Sequence, residues 1–104
     1  MNIMEGFVKV TQASEIPQGE GRSFEVNGII VAIFNIDGTF HALDGTCPHQ
    51  GGPLGEGSVD GKNVMCPWHA WEFDVTSGAC LGNPRLIQRK FSVKVEGQDI
   101  FVQV

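Results

Sequence analysis

Tyrosine is absent from the 104-residue sequence, so no phenolic hydroxyl is available anywhere in it. Basic residues are scarce: 7 Lys and Arg face 12 Asp and Glu, for a formal charge of −5. That balance disfavours nucleic acid and anionic membrane surfaces as partners, because both need clustered cations. No apolar run approaches the ~18 residues of a bilayer-spanning helix. The opening residues, Met1-Asn2-Ile3-Met4-Glu5-Gly6, carry neither a basic nor an apolar region of the secretory kind. The expectation is therefore a soluble, cytoplasmic protein. Cysteine is sparse and odd in number: Cys47, Cys66 and Cys80. In such a chain this argues against a disulfide framework and for metal binding or a buried thiol.

The length suits a single domain, 1–104, and is too short for separate substrate and nucleotide domains. Apolar residues make up 41% of the chain, enough for one modest core. With that core available, 14 glycines and 5 prolines imply many tight turns rather than disorder. Phe7-Val8-Lys9-Val10 reads as a strand and Ser14 to Gly21 as a loop. Ser23 to Val26, then Asn27-Gly28, then Ile29 to Phe34 is a hairpin with a type I′ signal, and Asp37-Gly38 marks the next turn before Thr39 to Leu43. Phe91 to Val95 alternates, Glu96-Gly97-Gln98 turns, and Ile100 to Val104 closes the chain. No segment shows a 3.6-residue apolar stripe. The pattern predicts an all-β sandwich or small barrel.

The middle, about 44–84, is dense in Gly and Pro, holds the cysteines and most of the histidines, and reads as poor in regular structure. A long irregular stretch in a small domain points to function and needs something to order it. Two clusters stand out within it, Cys47-Pro48-His49 and Cys66-Pro67-Trp68-His69. Each offers one thiolate and one imidazole in a proline-stiffened loop. A Cys2His2 donor set suits tetrahedral zinc or an iron–sulfur cluster. A zinc finger pairs Cys with Cys and His with His, the second pair on a helix; here each cluster mixes the two and no helix is evident. Mixed boxes suit a [2Fe–2S] cluster whose two irons carry different ligand types.

The two boxes resemble those of Rieske proteins, and the strands before and after them have counterparts in that family. The resemblance implies a Rieske-like antiparallel β-sandwich with a smaller cluster-binding subdomain. It implies one [2Fe–2S] cluster, with Cys47 and Cys66 on one iron and His49 and His69 on the other. High-potential members carry an extra Cys in each box, joined as a disulfide; the matching positions here are Gly52 and Trp68. The same members place hydroxyl donors where this chain has Trp71 and Phe73. Such donors stabilise the reduced cluster, so their loss implies the low end of a range of about −150 to +300 mV. By formal charge, two ferric ions, two sulfides and two cysteinates sum to zero, so reduction adds one negative charge.

The implied function is a soluble one-electron ferredoxin rather than an enzyme. It would take electrons from a flavin-dependent reductase and pass them to a terminal ring-hydroxylating oxygenase, as a monomer or weak oligomer. The alternatives are the small subunit of an assimilatory nitrite reductase or another redox-complex subunit, and a non-redox interaction module or zinc protein. Asp44, Glu56, Asp60, Glu72 and Asp74 against Lys62 leave −4 in this segment, readable as a solvated surface or as an acidic rim that steers a partner. Cys80 is expected in the core or a loop, His41 as structural, and Trp71 as packing, with Trp68 open between packing and contact. Gly51, Gly52 and Pro53 would let backbone amides approach the cluster, Pro84 would begin a covering loop, and Asp74 to Gly78 is a turn. No Ser/His/Asp set, phosphate loop or flavin or nicotinamide fingerprint is present.

Overall fold

The computed structural model describes residues 6–46, 52–67 and 71–104. The strands are β1 (Phe7–Gln12), β2 (Gly21–Val26), β3 (Ile29–Ile36), β4 (Thr39–Asp44), β5 (Ser58–Asp60) and β6 (Asn63–Met65). They continue as β7 (Glu72–Asp74), β8 (Ala79–Cys80), β9 (Asn83–Ile87), β10 (Lys90–Glu96) and β11 (Asp99–Gln103). Short 3-10 turns occupy Ala13–Glu15 and Leu54–Glu56. A six-stranded sheet runs β1-β11-β10-β4-β3-β2, and a five-stranded one runs β5-β6-β7-β8-β9. Each observed pairing is antiparallel, as an all-β sandwich with a smaller subdomain requires.

Turn chemistry sets the registers of the large sheet. Asn27 and Gly28 have φ of 51° and 81°, and Asp37 and Gly38 have 52° and 86°. Positive φ at both central residues defines the type I′ turn, whose twist matches that of the flanking strands. The turns close the pairs Val26↔Ile29 and Ile36↔Thr39. A one-residue slip would turn every buried side chain of β3 over.

Strand β3 is the spine of the molecule because both its faces are covered. Val31 and Ile33 join Ile16, Val26, Ala42, Phe91, Ile100 and Val102 in one core cluster. Ala32 and Phe34 point the other way, into a second cluster with Leu43, Leu54, Val64, Cys66, Phe73, Val75 and Cys80. Double coverage explains why this strand is apolar throughout instead of alternating. Strand β10 passes the large sheet from one partner to the next: Lys90 and Phe91 pair with Leu43 and Ala42 of β4, and from Ser92 onward it pairs with β11.

The middle of the chain corrects the expectation of an irregular stretch. Five strands of two to five residues form a complete small sheet there. They are too short to show a period-2 pattern, and glycine turns interrupt them. Pro84 lies within β9 at the edge of this sheet, not at the start of a loop. An edge strand tolerates proline because its missing N–H need not join a ladder.

Candidate metal centre

Each cysteine–histidine box belongs to a loop closed at its base. In the first, Thr46 bridges to Pro53 and the Leu54 N–H donates to the Gly45 carbonyl at 2.9 Å. The Gly45 N–H donates in turn to the Ile30 carbonyl at 2.8 Å, which seats this stem against β3. The second loop caps the β6–β7 hairpin: Met65 pairs with Glu72, and the Cys66 N–H donates to the Trp71 carbonyl at 2.7 Å. Of the four expected ligands, Cys66 is described: it is buried, 1% exposed, with a free thiol in the second core cluster. Cys47, His49 and His69 lie outside the described residues, as do Trp68 and Gly51.

Glycines bring the two stems into contact. Gly57 follows the first loop, and a β-carbon there would collide with the Met65 carbonyl, one residue before Cys66. A β-carbon on Gly55 would run into Ser23 on β2. Gly52 is buried and Pro53 half-buried beneath the first loop. Leu54 and Cys66 then share one apolar cluster, so the loop bases lie on a common floor.

A third segment, Gln88 to Lys90, ties these parts together. The Gln88 side chain is 5% exposed, and its Nε2 donates to the carbonyls of Asp44 and Thr46, both at 2.7 Å. Its backbone N–H donates to the Gly78 carbonyl at 2.6 Å, and Lys90 Nζ donates to the Thr76 carbonyl. The Asp44 N–H donates to the Arg89 carbonyl at 2.8 Å. Residues 88–90 therefore bind the entry to the first loop on one side and the turn after β7 on the other. No sequence signal marks Gln88, an ordinary polar residue between two strands. The glycine density of the region hints at Gly55, Gly57 and Gly78 without saying which approach each permits.

The Asp74 to Gly78 turn forms as expected, with Gly78 at φ 83°. Asp74 Oδ1 accepts from the Thr76 N–H at 2.8 Å and from Thr76 Oγ1 at 2.6 Å, while Oδ2 lies 3.2 Å from Lys62 Nζ. Partial burial raises the Asp74 pKa, but the Thr76 hydrogen bonds and Lys62 outweigh it and leave the carboxyl below its ordinary value. This divides the expected acidic rim. Asp74 is paired with Lys62 of the β5–β6 turn and bonded within its own turn to Thr76, and Asp44 Oδ1 accepts from the Thr46 N–H at 3.0 Å. Glu56 and Asp60 are exposed and Glu72 half-buried.

His41 sits half-buried on β4. Burial lowers its pKa, Lys90 lowers it further, and Asp74 opposes the shift. Cys80 is buried opposite Phe73 in the β7–β8 pair, and Trp71 packs against the same cluster. Phe73 is fully buried, so an apolar ring replaces a hydroxyl donor there. The residues fit an iron–sulfur centre on their chemistry. One thiol is buried at the base of the second loop, and the first loop's base shares its apolar cluster. Among the described residues, no competing group of three His, Cys, Asp or Glu side chains converges on a metal position, and no helix is long and apolar enough to cross a membrane.

Comparison with known proteins agrees with this geometry. Residues 6–94 match the family model described as the Rieske [2Fe-2S] domain. The chain is 30% identical over 101 residues to the ferredoxin component of the naphthalene 1,2-dioxygenase system of Pseudomonas aeruginosa, covering 96% of this chain and 97% of that one. It is 35% identical over 98 residues to the biphenyl dioxygenase ferredoxin subunit of Pseudomonas sp. (strain KKS102), covering 92% and 90%. Among solved structures, it is similar to a chain in the complex of reduced oxygenase and oxidized ferredoxin of carbazole 1,9a-dioxygenase. There the TM-score is 0.85 at 29% identity, covering 94% of this chain and 93% of that one. A small subunit described as that of an NADPH nitrite reductase matches at TM-score 0.81 and 21% identity, covering 94% and 98%; this likeness concerns the fold alone.

Proposed function

The chain belongs to the Rieske [2Fe-2S] family, and from that premise we propose that it is a cytoplasmic one-electron carrier, a ferredoxin between a flavin-dependent reductase and a terminal ring-hydroxylating oxygenase. The observation that carries this reading is likeness along nearly the whole chain to ferredoxin components of dioxygenase systems, joined to paired boxes in two base-closed loops. When bound, the cluster supplies a one-electron couple, placed at the low end of the Rieske range by the missing hydroxyl donors. The protein's own work is to hold and insulate. Cys47 and Cys66 supply thiolates to one iron, and His49 and His69 supply imidazoles to the other. Burial of Cys66 keeps that side dry, while imidazole ligands leave the oxidised site neutral and easier to reduce than four thiolates would. No side chain is assigned a catalytic role.

Anaerobic purification with iron and acid-labile sulfide analysis tests the cofactor. The reduced protein should give an electron paramagnetic resonance signal of low average g. Rapid mixing of the reduced chain with an oxidised ring-hydroxylating oxygenase should then show handover of one electron per carrier. Absence of iron and sulfide overturns the cluster, and stable stoichiometric association with a sirohaem protein in place of handover overturns the carrier role. Cys66→Ser should abolish cluster retention.

A further inference from the structure

Gln88 is nearly fully buried, has no place among the expected ligands, and spends its side-chain donors on backbone at the entry to the first loop. Two carbonyl oxygens at 2.7 Å fix the amide orientation, since an oxygen turned toward them would repel both. Asp44 ends β4 and Thr46 forms the bridge that closes the loop holding Cys47 and His49. The same residue's backbone N–H is bound to Gly78, in the turn that follows the hairpin bearing Cys66 and His69. A β-carbon at Gly78 would collide with the Gln88 carbonyl, so this contact leaves no room for slippage. One residue thus ties the first loop's stem to the turn at the far end of the second loop's hairpin.

We propose that Gln88 is a positioning residue for the iron–sulfur centre, its amide clamping the stem of the Cys47/His49 loop to the segment that packs on the second loop's hairpin. This rests on the cluster reading above. A four-ligand site tolerates little error in the relative placement of its ligands. Without the amide, both carbonyls lose this donor at once, and the stem is free to shift toward water to satisfy them.

The test uses the full chain, loaded anaerobically, in wild-type form and as Gln88→Leu, Gln88→Glu and Gln88→Asn. Leu matches the volume without donors, Glu matches the shape with none when ionised, and Asn keeps the donors one methylene short. Bleaching of the visible absorbance by excess chelator gives the rate of iron release. The reduced-state g values report ligand geometry, and far-ultraviolet circular dichroism reports the fold. We expect Leu and Glu to release iron about ten- to a hundredfold faster than wild type, with shifted g values and unchanged β dichroism. Asn should fall between. If Gln88→Leu does not fold, Asn and Glu decide the matter by the same readings. Wild-type release rates and g values in the folded variants overturn the proposal, even if their melting temperatures drop. A wild-type protein that holds no iron overturns the cluster reading and this proposal with it.

Discussion

Gly21 and Phe34 are directly opposite in the β2–β3 pair, and the Phe34 ring lies over the glycine. A β-carbon on Gly21 would sit 2.5 Å from Cδ1 and 2.6 Å from Cε1 of that ring, and 3.2 Å from the Gly55 carbonyl oxygen. The fully buried ring fills the floor between the spine strand and the cluster-bearing sheet. Gly21→Ala alone should therefore destabilise by about 1–3 kcal/mol through overpacking. Phe34→Ala alone should cost about 3–5 kcal/mol, since a glycine opposite offers no side chain to collapse into the void. In the double variant the new methyl enters vacated space, and Gly→Ala at an unstrained position contributes about 0.4–1 kcal/mol of stability. The two changes should then couple by about 1.5–4 kcal/mol, the double variant being more stable than Phe34→Ala alone. Denaturant unfolding followed by circular dichroism on all four proteins measures this. Additivity within about 0.5 kcal/mol would refute the stacked geometry and, with it, the account of how the two sheets meet.

Gly57→Ala should force the Met65 carbonyl aside, costing about 1–3 kcal/mol and reducing iron content of the purified protein; unchanged loading would show that the two stems need not touch. Phe73→Tyr should raise the reduction potential by about 20–65 mV, the equivalent of one net hydrogen bond of ~0.5–1.5 kcal/mol, if the new hydroxyl reaches a cluster sulfur. A loss of about 1–3 kcal/mol of stability with no change in voltammetry would place that hydroxyl in the apolar core instead. His41 has a folded pKa below its ordinary 6.5, so the fold favours the neutral ring. Above that ordinary value the group adds no pH dependence; as pH falls through the folded value, the unfolded chain gains the proton first and stability declines. His41→Gln should remove this component, read as the difference between the two proteins' melting temperatures against pH. Asp74 works in the same direction at lower pH: its depressed pKa stabilises the fold above the ordinary carboxylate range and the effect is lost on acidification. Asp74→Asn should flatten that acid limb.

The hairpins of the large sheet were legible because Asn27-Gly28 and Asp37-Gly38 dictate local backbone geometry, and residues four apart in sequence suffice to read them. The expected donor set was read for a similar reason: Cys47, His49, Cys66 and His69 form two short runs whose chemistry is carried by residue type, and all but Cys66 lie outside the described residues. The small sheet was not, since strands such as Ala79–Cys80 owe their existence to neighbours rather than to their own pattern. Nor could sequence tell that Asp74 spends its charge on Thr76 and Lys62 rather than on a partner. Gln88 reaches Asp44 and Thr46 across 44 and 42 positions of chain, whereas Gly57 meets Met65 within the local β5–β6 hairpin, beside the Ser58↔Met65 pair. Local residue chemistry thus pointed to the expected iron ligands and determined where the chain must turn. How the two loops are held to one another was decided by long-range packing, because the contacts that set their spacing exist only after distant backbone has been brought together and its buried polar groups satisfied.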